Sequence, residues 1–473
     1  MPALSLIPGT VRRSLGDLPQ LPIKNLFAEK AITEPGEFRL LSRWPLFLRS
    51  VLGNDTIMGD GPVTALMIQD GVLNGTLLGI SDGGFYTVET LRGAVPGTGP
   101  ASLAGNEVGV IMTAGEDAKF YDGATFRAIA FPDGAYVTKV IEQGGRFVFL
   151  RKDTQKYYWT EPLSNMLDGS GDIVIAPLDF ASAENEPDEL VDAVVFKDHL
   201  VLGGKNTIEL HGVTGDDNLP WAPTLGSTLH YGVYGTNCMA LWNDGFAWVS
   251  RQGVVLHSAG GSAIRISDNG IEELILNSDP ASFYVDSFFL ESHEFLRIKG
   301  PLDGDLLLDA QTMQWTQFST DDGPWLAGPV SSRNVAYSEF GSSVDGKVLL
   351  PLQVPLLTKV EEAAPDRIFR AGFSVDGGSV PVSNILLRCQ VGEVEYPGGT
   401  IAMRYSRDAG RTWSNWISGS LGSAGEFRTK VEWRALGLFD QPGFLAEFKI
   451  EDAKVFSVSA AFFNEFLGGR GRG

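Results

Sequence analysis

One phrase recurs from Val63 to Leu352: an apolar run, a tight polar turn, a second apolar run. It reads LMIQDGVLNGTLLGI, then KVIEQGGRFVFL, VVFKDHLVLGG, MALWNDGFAWV and FFLESHEFLRI. Each is a β-hairpin by composition, because Asp, Gly, Asn and Lys supply the turn while β-branched and aromatic residues supply the strands. The apolar runs open near Val63, Val108, Val137, Leu190, Met239, Phe288 and Val335, and the last four intervals are 53, 49, 49 and 47 residues. Several short strands per period, with almost no helix, predict a radial β array, a β-propeller. The spacing fits six blades, and the hairpin at 335–352 is either a seventh blade or the strand pair that closes the ring. The interval of only 29 residues from Val108 to Val137 marks a trimmed blade or a shifted register.

The flanks differ from this repeat. Residues 1–61 read as an extended N-terminal arm, since prolines at 2, 8, 19, 22, 35 and 45 interrupt regular elements. The arm nevertheless carries Leu26, Phe27, Phe38, Leu40, Leu41, Trp44, Leu46 and Phe47, so it is expected to pack on its own propeller or on a neighbouring subunit. The propeller spans 62–356. Inside it, ISDNGIEELI predicts one short helix between blades, with Ser267, Asp268 and Asn269 as N-cap candidates and Ile271, Leu274 and Ile275 on one face. After a linker at 357–366, residues 367–464 alternate with period two and predict an antiparallel β-sandwich; 465–473 form a flexible basic tail. The fold class is therefore all-β.

Net charge is −21 over 473 residues, and its placement is uneven. From Pro365 onward there are 13 basic and 12 acidic residues, so the preceding 364 residues carry 24 basic against 46 acidic. The propeller half holds all the excess negative charge and is expected to repel nucleic-acid phosphates rather than grip them. No uninterrupted apolar window approaches the length of a membrane span. MPALSLIPG has no basic start and meets Pro8 before a signal core forms, which predicts synthesis and folding in a cytoplasm. Cys238 and Cys389 stand far apart in apolar surroundings and read as two reduced thiols, with a disulfide as the alternative.

Catalytic patterns are absent. His199, His211, His230, His257 and His293 are isolated, without H-E-x-x-H or zinc-spaced cysteines. Asp303, Asp305 and Asp309 lack the rest of a calcium loop, the GGKNT run at 203–207 is an incomplete phosphate loop, and no G-x-S-x-G elbow occurs. Ser406-Arg407-Asp408-Ala409-Gly410-Arg411-Thr412-Trp413 fits the Asp-box pattern S-x-D-x-G-x-T-W. Its physical content is a hairpin turn built on Ser406, Asp408, Gly410 and Trp413, in which the Asp408 side chain bonds turn amides, Gly410 takes positive φ and Trp413 packs under the sheet. No catalytic residue, metal or cofactor is expected.

Several segments together resemble the tail hub, or nozzle, proteins of short-tailed bacteriophages, also called packaged DNA stabilisation proteins. The resemblance is carried by DAVVFKDHLVLGGKNTIELHGVTG, by GVYGTNCMALWNDGFAWVSRQGVVLHSAGGSAIRISDNGIEELI, by ESHEFLRI and LLLDAQTMQWTQF, by NLFAEK in the arm, and by SRDAGRTW and VEWRALG near the end. Two departures are Leu46, where a Gly would follow Pro45, and Ala453, where a proline is usual. The resemblance implies a structural virion protein of the tail, assembled in the host cytoplasm as a homo-hexamer below the portal and its adaptor ring. It implies contacts with tail fibre, tailspike or needle proteins, and genomic double-stranded DNA passing through without specific binding. Acidic walls suit such a conduit, so Glu184, Glu186, Asp188 and Glu189 in one loop, and Asp321 and Asp322 in another, are the candidate bore-lining acids. Pro324 and Trp325 are the candidate gate, and the near-neutral sandwich is the expected dock for tail partners. The competing classes are a virion glycan-binding adhesin and a glycan hydrolase.

Overall fold

The computed structural model describes residues 3–4, 23–30, 38–51, 54–134, 136–183, 188–278, 283–300, 304–320, 323–331, 338–351, 359–362, 366–375, 377–392, 399–450 and 456–464. Among the described residues seven antiparallel meanders follow one another as blades, with four strands each in 63–94, 102–128, 137–182, 190–223, 239–265 and 284–320 and three in 327–350. Their first strands begin at Val63, Ser102, Val137, Leu190, Met239, Tyr284 and Ala327 and neighbour one another around the axis, the seventh beside the first. The ring thus has seven blades, not six. The short interval seen in the sequence disappears, because Val108 lies beside the second strand of its blade, Gly109–Thr113, rather than at the start of the first.

Blade 7 supplies only three strands of its own. Its fourth is Phe47–Leu48 from the arm, paired antiparallel with Val348–Leu350, and Lys359–Val360 pairs with the far side of that strand. A seventh set of strand edges would otherwise be left open, and a paired edge is the general remedy. The fit is close: a Cβ at Gly346 would meet the carbonyl oxygen of Gly59 at 2.1 Å. Between blades the core divides into apolar clusters. Phe85, Val110 and Tyr121 join blades 1 and 2, Phe120, Phe147 and Tyr158 join blades 2 and 3, and Tyr157, Leu200 and Trp221 join blades 3 and 4. Trp242, Trp248 and Leu296 pack across blades 5 and 6. The helix Asn269–Leu276 links those two blades, and Asp268 caps it by accepting from Gly270 N and Ile271 N.

The C-terminal residues form two sheets with a shared core that includes Phe369, Ile385, Met403, Trp433 and Phe448. The arm completes this sandwich. Leu26–Lys30 and Phe38–Ser42 extend the sheet of Ser457–Phe463, Val380–Cys389 and Val431–Phe439. Ile23–Lys24 pairs in parallel with Trp315–Thr320, the outer strand of blade 6, and antiparallel with Arg367–Ser374 of the sandwich. One sheet therefore runs from propeller into sandwich, and the arm contributes to both.

A buried polar cluster locks that junction. Arg43 donates to both carboxylate oxygens of Glu362, at 2.7 and 2.6 Å, to Ser319 O and to the side chain of Asn25. Glu362 also accepts from Leu46 N at 3.0 Å and from the Thr320 hydroxyl at 2.6 Å. The partners come from the arm, from the outer strand of blade 6 and from the linker, so the bonds hold those three in one arrangement.

Candidate functional site: an acidic propeller face around a narrow channel

Each blade starts at the axis and meanders outward, so its first and third turns open on one face of the disc, and its second turn and the link to the next blade open on the other. The first and third turns of blades 1–6 contain Asp70 and Glu89, then Glu107 and Asp122, then Glu161, Asp168, Asp172 and Asp179, then Asp198, Asp216 and Asp217, then Asp244, then Glu291. Lys197 is the one basic residue among them. Glu142 adds a carboxylate at the end of the first strand of blade 3, where it lines the central cavity, whereas Glu291 of blade 6 is turned to the arm and bonds the Trp44 side chain. Asp70, Glu107, Asp198 and Asp244 are exposed. The opposite face mixes signs, with Lys152, Lys205, Arg251 and Lys347 among Asp82, Asp117, Asp153 and Asp345.

A cavity of about 880 Å³ runs through the disc and is lined by strands from all seven blades. Leu103, Ile141, Val194, Leu241, Val285 and Val330 contribute apolar wall, and Gln69 and Glu142 stand at the acidic mouth. Lys139, Asn237, Asp286 and Lys299 lie toward the other end. Their charges are matched. Lys139 Nζ reaches Asp192 Oδ1 and Asn237 Oδ1, each at 2.7 Å, and Lys299 Nζ binds Asp305 at 3.2 Å and Trp325 O at 2.6 Å. Burial lowers the pKa of Lys299 and raises that of Asp305, each shift opposed by the charge of the other. Arg297 pairs with Asp286 and donates to Ala327 O and Gly328 O. Spread along a strand of about six residues, roughly 20 Å, that volume gives a mean width of about 7 Å, less than the roughly 12 Å of a duplex's major groove alone.

Of the residues expected to line a bore, Asp188 and Glu189 lie among the described residues. Asp188 is 8% exposed, and its carboxylate accepts from Asn206 N at 2.6 Å and Thr207 N at 2.8 Å, so it closes a turn instead of facing a passage. Glu189 forms an ion pair with Lys205 on the surface. Glu184, Glu186, Asp321 and Asp322 lie outside the described residues. Pro324 is exposed in a two-residue strand, but Trp325 is fully buried among Phe288, Phe318 and Phe340, with the Arg43 guanidinium 5.2 Å above its ring. A large aromatic between proline and leucine reads as a loop tip in sequence; here it fills the wedge between blades 6 and 7.

The Asp-box residues do come together. Ser406 Oγ accepts from Gly410 N at 2.7 Å, and Asp408 accepts from Thr412 N at 2.8 Å and from the Thr412 hydroxyl at 2.6 Å. Those bonds hold the Asp408 pKa down at about 2, and Gly410 has φ +85°. Trp413 is clamped between the guanidinium groups of Arg370 and Arg404, at 5.0 and 4.7 Å, while Glu447 ties both arginines from the neighbouring strand. Arg404 then stacks on Trp416 at 4.6 Å. The motif is a structural turn carrying a cation–π ladder. Among the described residues no group of three or more His, Cys, Asp or Glu side chains could hold a metal ion.

Sequence reasoning missed one buried constellation. Between blades 3 and 4 the Tyr157 hydroxyl lies 3.0 Å from His211 Nδ1, and His211 Nε2 lies 3.3 Å from Glu209. All three are buried, and burial pushes His211 down to about 4. A neutral imidazole that accepts from Tyr157 and donates to Glu209 satisfies both ring nitrogens. The only signal in sequence is a His two residues after a Glu on a strand, which places both on one face.

A family model described as Bacteriophage P22 Gp10, beta-propeller, matches residues 71–322. The chain belongs to this family. A curated member of comparable sequence, the tail hub protein gp10 of Salmonella phage P22, is 25% identical over 263 residues, which cover 50% of this chain and 52% of that protein. The chain thus spans about half the length of the relative it matches. Among solved structures, PorZ of Porphyromonas gingivalis is similar at a TM-score of 0.38 and 11% identity, over 77% of this chain and 46% of that one. The β-propeller of Cps50 (Swd1) of Myceliophteria thermophila is similar at a TM-score of 0.40 and 9% identity, over 63% of this chain and 99% of that one. Both likenesses are too remote to bear on function.

Proposed function

We propose that this Gp10-like protein is a non-enzymatic structural component of a phage tail, a subunit of the hexameric hub ring below the portal and adaptor. It is assembled in the host cytoplasm and carried in the virion. The family match across the propeller carries this reading, and the charge distribution supports it: basic residues would each add phosphate affinity by counterion release, and the acidic half of the chain offers almost none in its first- and third-turn surface. The genome passes between subunits, since the channel within each propeller is too narrow for a duplex. Glu189, with Glu184, Glu186, Asp321 and Asp322, remains the proposed bore lining, whereas Asp188 is a turn residue. The sandwich, near neutral in charge, is the proposed dock for fibre, tailspike or needle proteins.

The deciding measurement is particle mass by light scattering, for the purified protein alone and with the portal–adaptor assembly. Six copies are expected in the assembled state, with no retention of duplex DNA at moderate salt. A trimer with affinity for host glycan would support an adhesin instead, and hydrolysis of host polysaccharide would overturn the structural reading.

A further inference from the structure

The acidic face and the channel it surrounds have complementary chemistry. Glu142 lines the channel at the first-turn end, Asp70, Glu107, Asp198 and Asp244 stand in the first turns of neighbouring blades on that face, and the walls below are Leu103, Ile141, Val194, Leu241 and Val330. The volume of about 880 Å³ falls in the range of about 300–1,000 Å³ typical of ligand pockets. The charged groups at the far end are already paired with one another, so an entering group meets apolar wall and then a neutralised floor. By contrast, Asp70, Glu107, Asp198 and Asp244 at the rim are exposed and have no ion-pair partner among the described residues.

We propose that this face is a docking site for a protein segment with a cationic flank and an apolar tip, a loop or terminus of another virion component. Its apolar side chains enter the channel mouth, and its Lys or Arg side chains pair with the rim acids. An apolar segment alone would strip water from carboxylates without replacing their hydrogen bonds, and a purely cationic one would leave the channel wall wet. A nucleic acid is rejected by sign. The inference stands apart from the oligomeric state, because every copy carries the whole site.

The test uses the full chain and a fluorescein-labelled hexapeptide, Lys-Lys-Leu-Leu-Lys-Lys, followed by fluorescence anisotropy. A matched probe with Ser in place of both Leu residues reports the apolar contribution. One variant carries Asp70→Asn, Glu107→Gln, Asp198→Asn and Asp244→Asn; a second, of equal net charge, carries Asp82→Asn, Glu116→Gln, Asp117→Asn and Asp153→Asn on the opposite face. Saturable binding by the wild type is expected, weakened about tenfold or more in the first variant and little changed in the second, and weaker for the Ser probe. Equal weakening in both variants would mean that only the overall field attracts the peptide, and would overturn the site. So would equal binding of the Leu and Ser probes, the signature of a simple polycation sponge, or no binding at all.

Discussion

Replacing Glu362 by alanine should loosen the joint that unites arm, propeller and sandwich. Arg43 and Glu362 are 319 positions apart in sequence and both are about 1% exposed. The substitution leaves the guanidinium bonded to Asn25, Trp44 O and Ser319 O, yet without a counter-charge in a site that water does not reach. It also strands Leu46 N and removes the acceptor of the Thr320 hydroxyl. Breaking one side of a buried pair costs about 3–5 kcal/mol, a large part of the roughly 5–15 kcal/mol that a domain possesses. The double variant Arg43→Met, Glu362→Leu, which removes both charges, should recover most of the loss. Urea unfolding followed by tryptophan fluorescence reads the effect, because Trp44 and Trp325 both border the cluster. Limited proteolysis of the stretch 38–51 reports whether the arm has lifted. A Glu362→Ala loss under about 1 kcal/mol would refute the reasoning, as would a loss that vanishes in 1 M salt, since a screened pair is a solvated one.

Acid should weaken the contact between blades 3 and 4. His211 is held neutral by burial at about 4, against about 6.5 when unfolded, so between those values the unfolded chain binds more protons and stability falls as pH falls. The melting temperature should drop from pH 7 to pH 4.5, and His211→Asn should flatten that slope. Trp413→Ala should cost the sandwich about 1–3 kcal/mol by opening the Arg370–Trp413–Arg404 stack, seen in calorimetry as a lower sandwich transition with the propeller transition in place. Burial pushes both thiols up to about 12, so Cys238 and Cys389 should resist Ellman's reagent at pH 8 until denaturant is added. Leu48→Asp places a charge in the borrowed strand of blade 7, where Leu48 is 1% exposed; a loss of about 3 kcal/mol or more is expected by urea titration, with earlier cleavage of the arm.

The repeat was legible because a hairpin is a local object. LMIQDGVLNGTLLGI, KVIEQGGRFVFL, VVFKDHLVLGG, MALWNDGFAWV and FFLESHEFLRI each contain the first turn of a blade, and the Asp268-capped helix and the Asp-box turn likewise depend on neighbours within a few residues. Of the acids on the proposed docking face, Asp70, Asp198 and Asp244 were visible as turn residues in those same phrases, and Glu107 lies in a hairpin outside them. That their turns share one face around the channel was not visible, since it follows from every blade starting at the axis and running outward. The proposed gate shows the same limit in reverse: Trp325 sits beside Pro324 in a polar stretch, and only the approach of Phe288, Phe318 and Phe340 from other strands makes it a core residue.

By itself the sequence determined the all-β character, the hairpin unit, the sandwich and the surplus of negative charge ahead of residue 365, all properties of local pattern or simple sums. Tertiary structure alone decided that the ring has seven blades, that Phe47–Leu48 completes the last of them, that the arm finishes the sandwich, and that Arg43 meets Glu362. Those outcomes join segments hundreds of residues apart, and what selects them is the free energy of open strand edges and buried charges, which no short window of sequence contains.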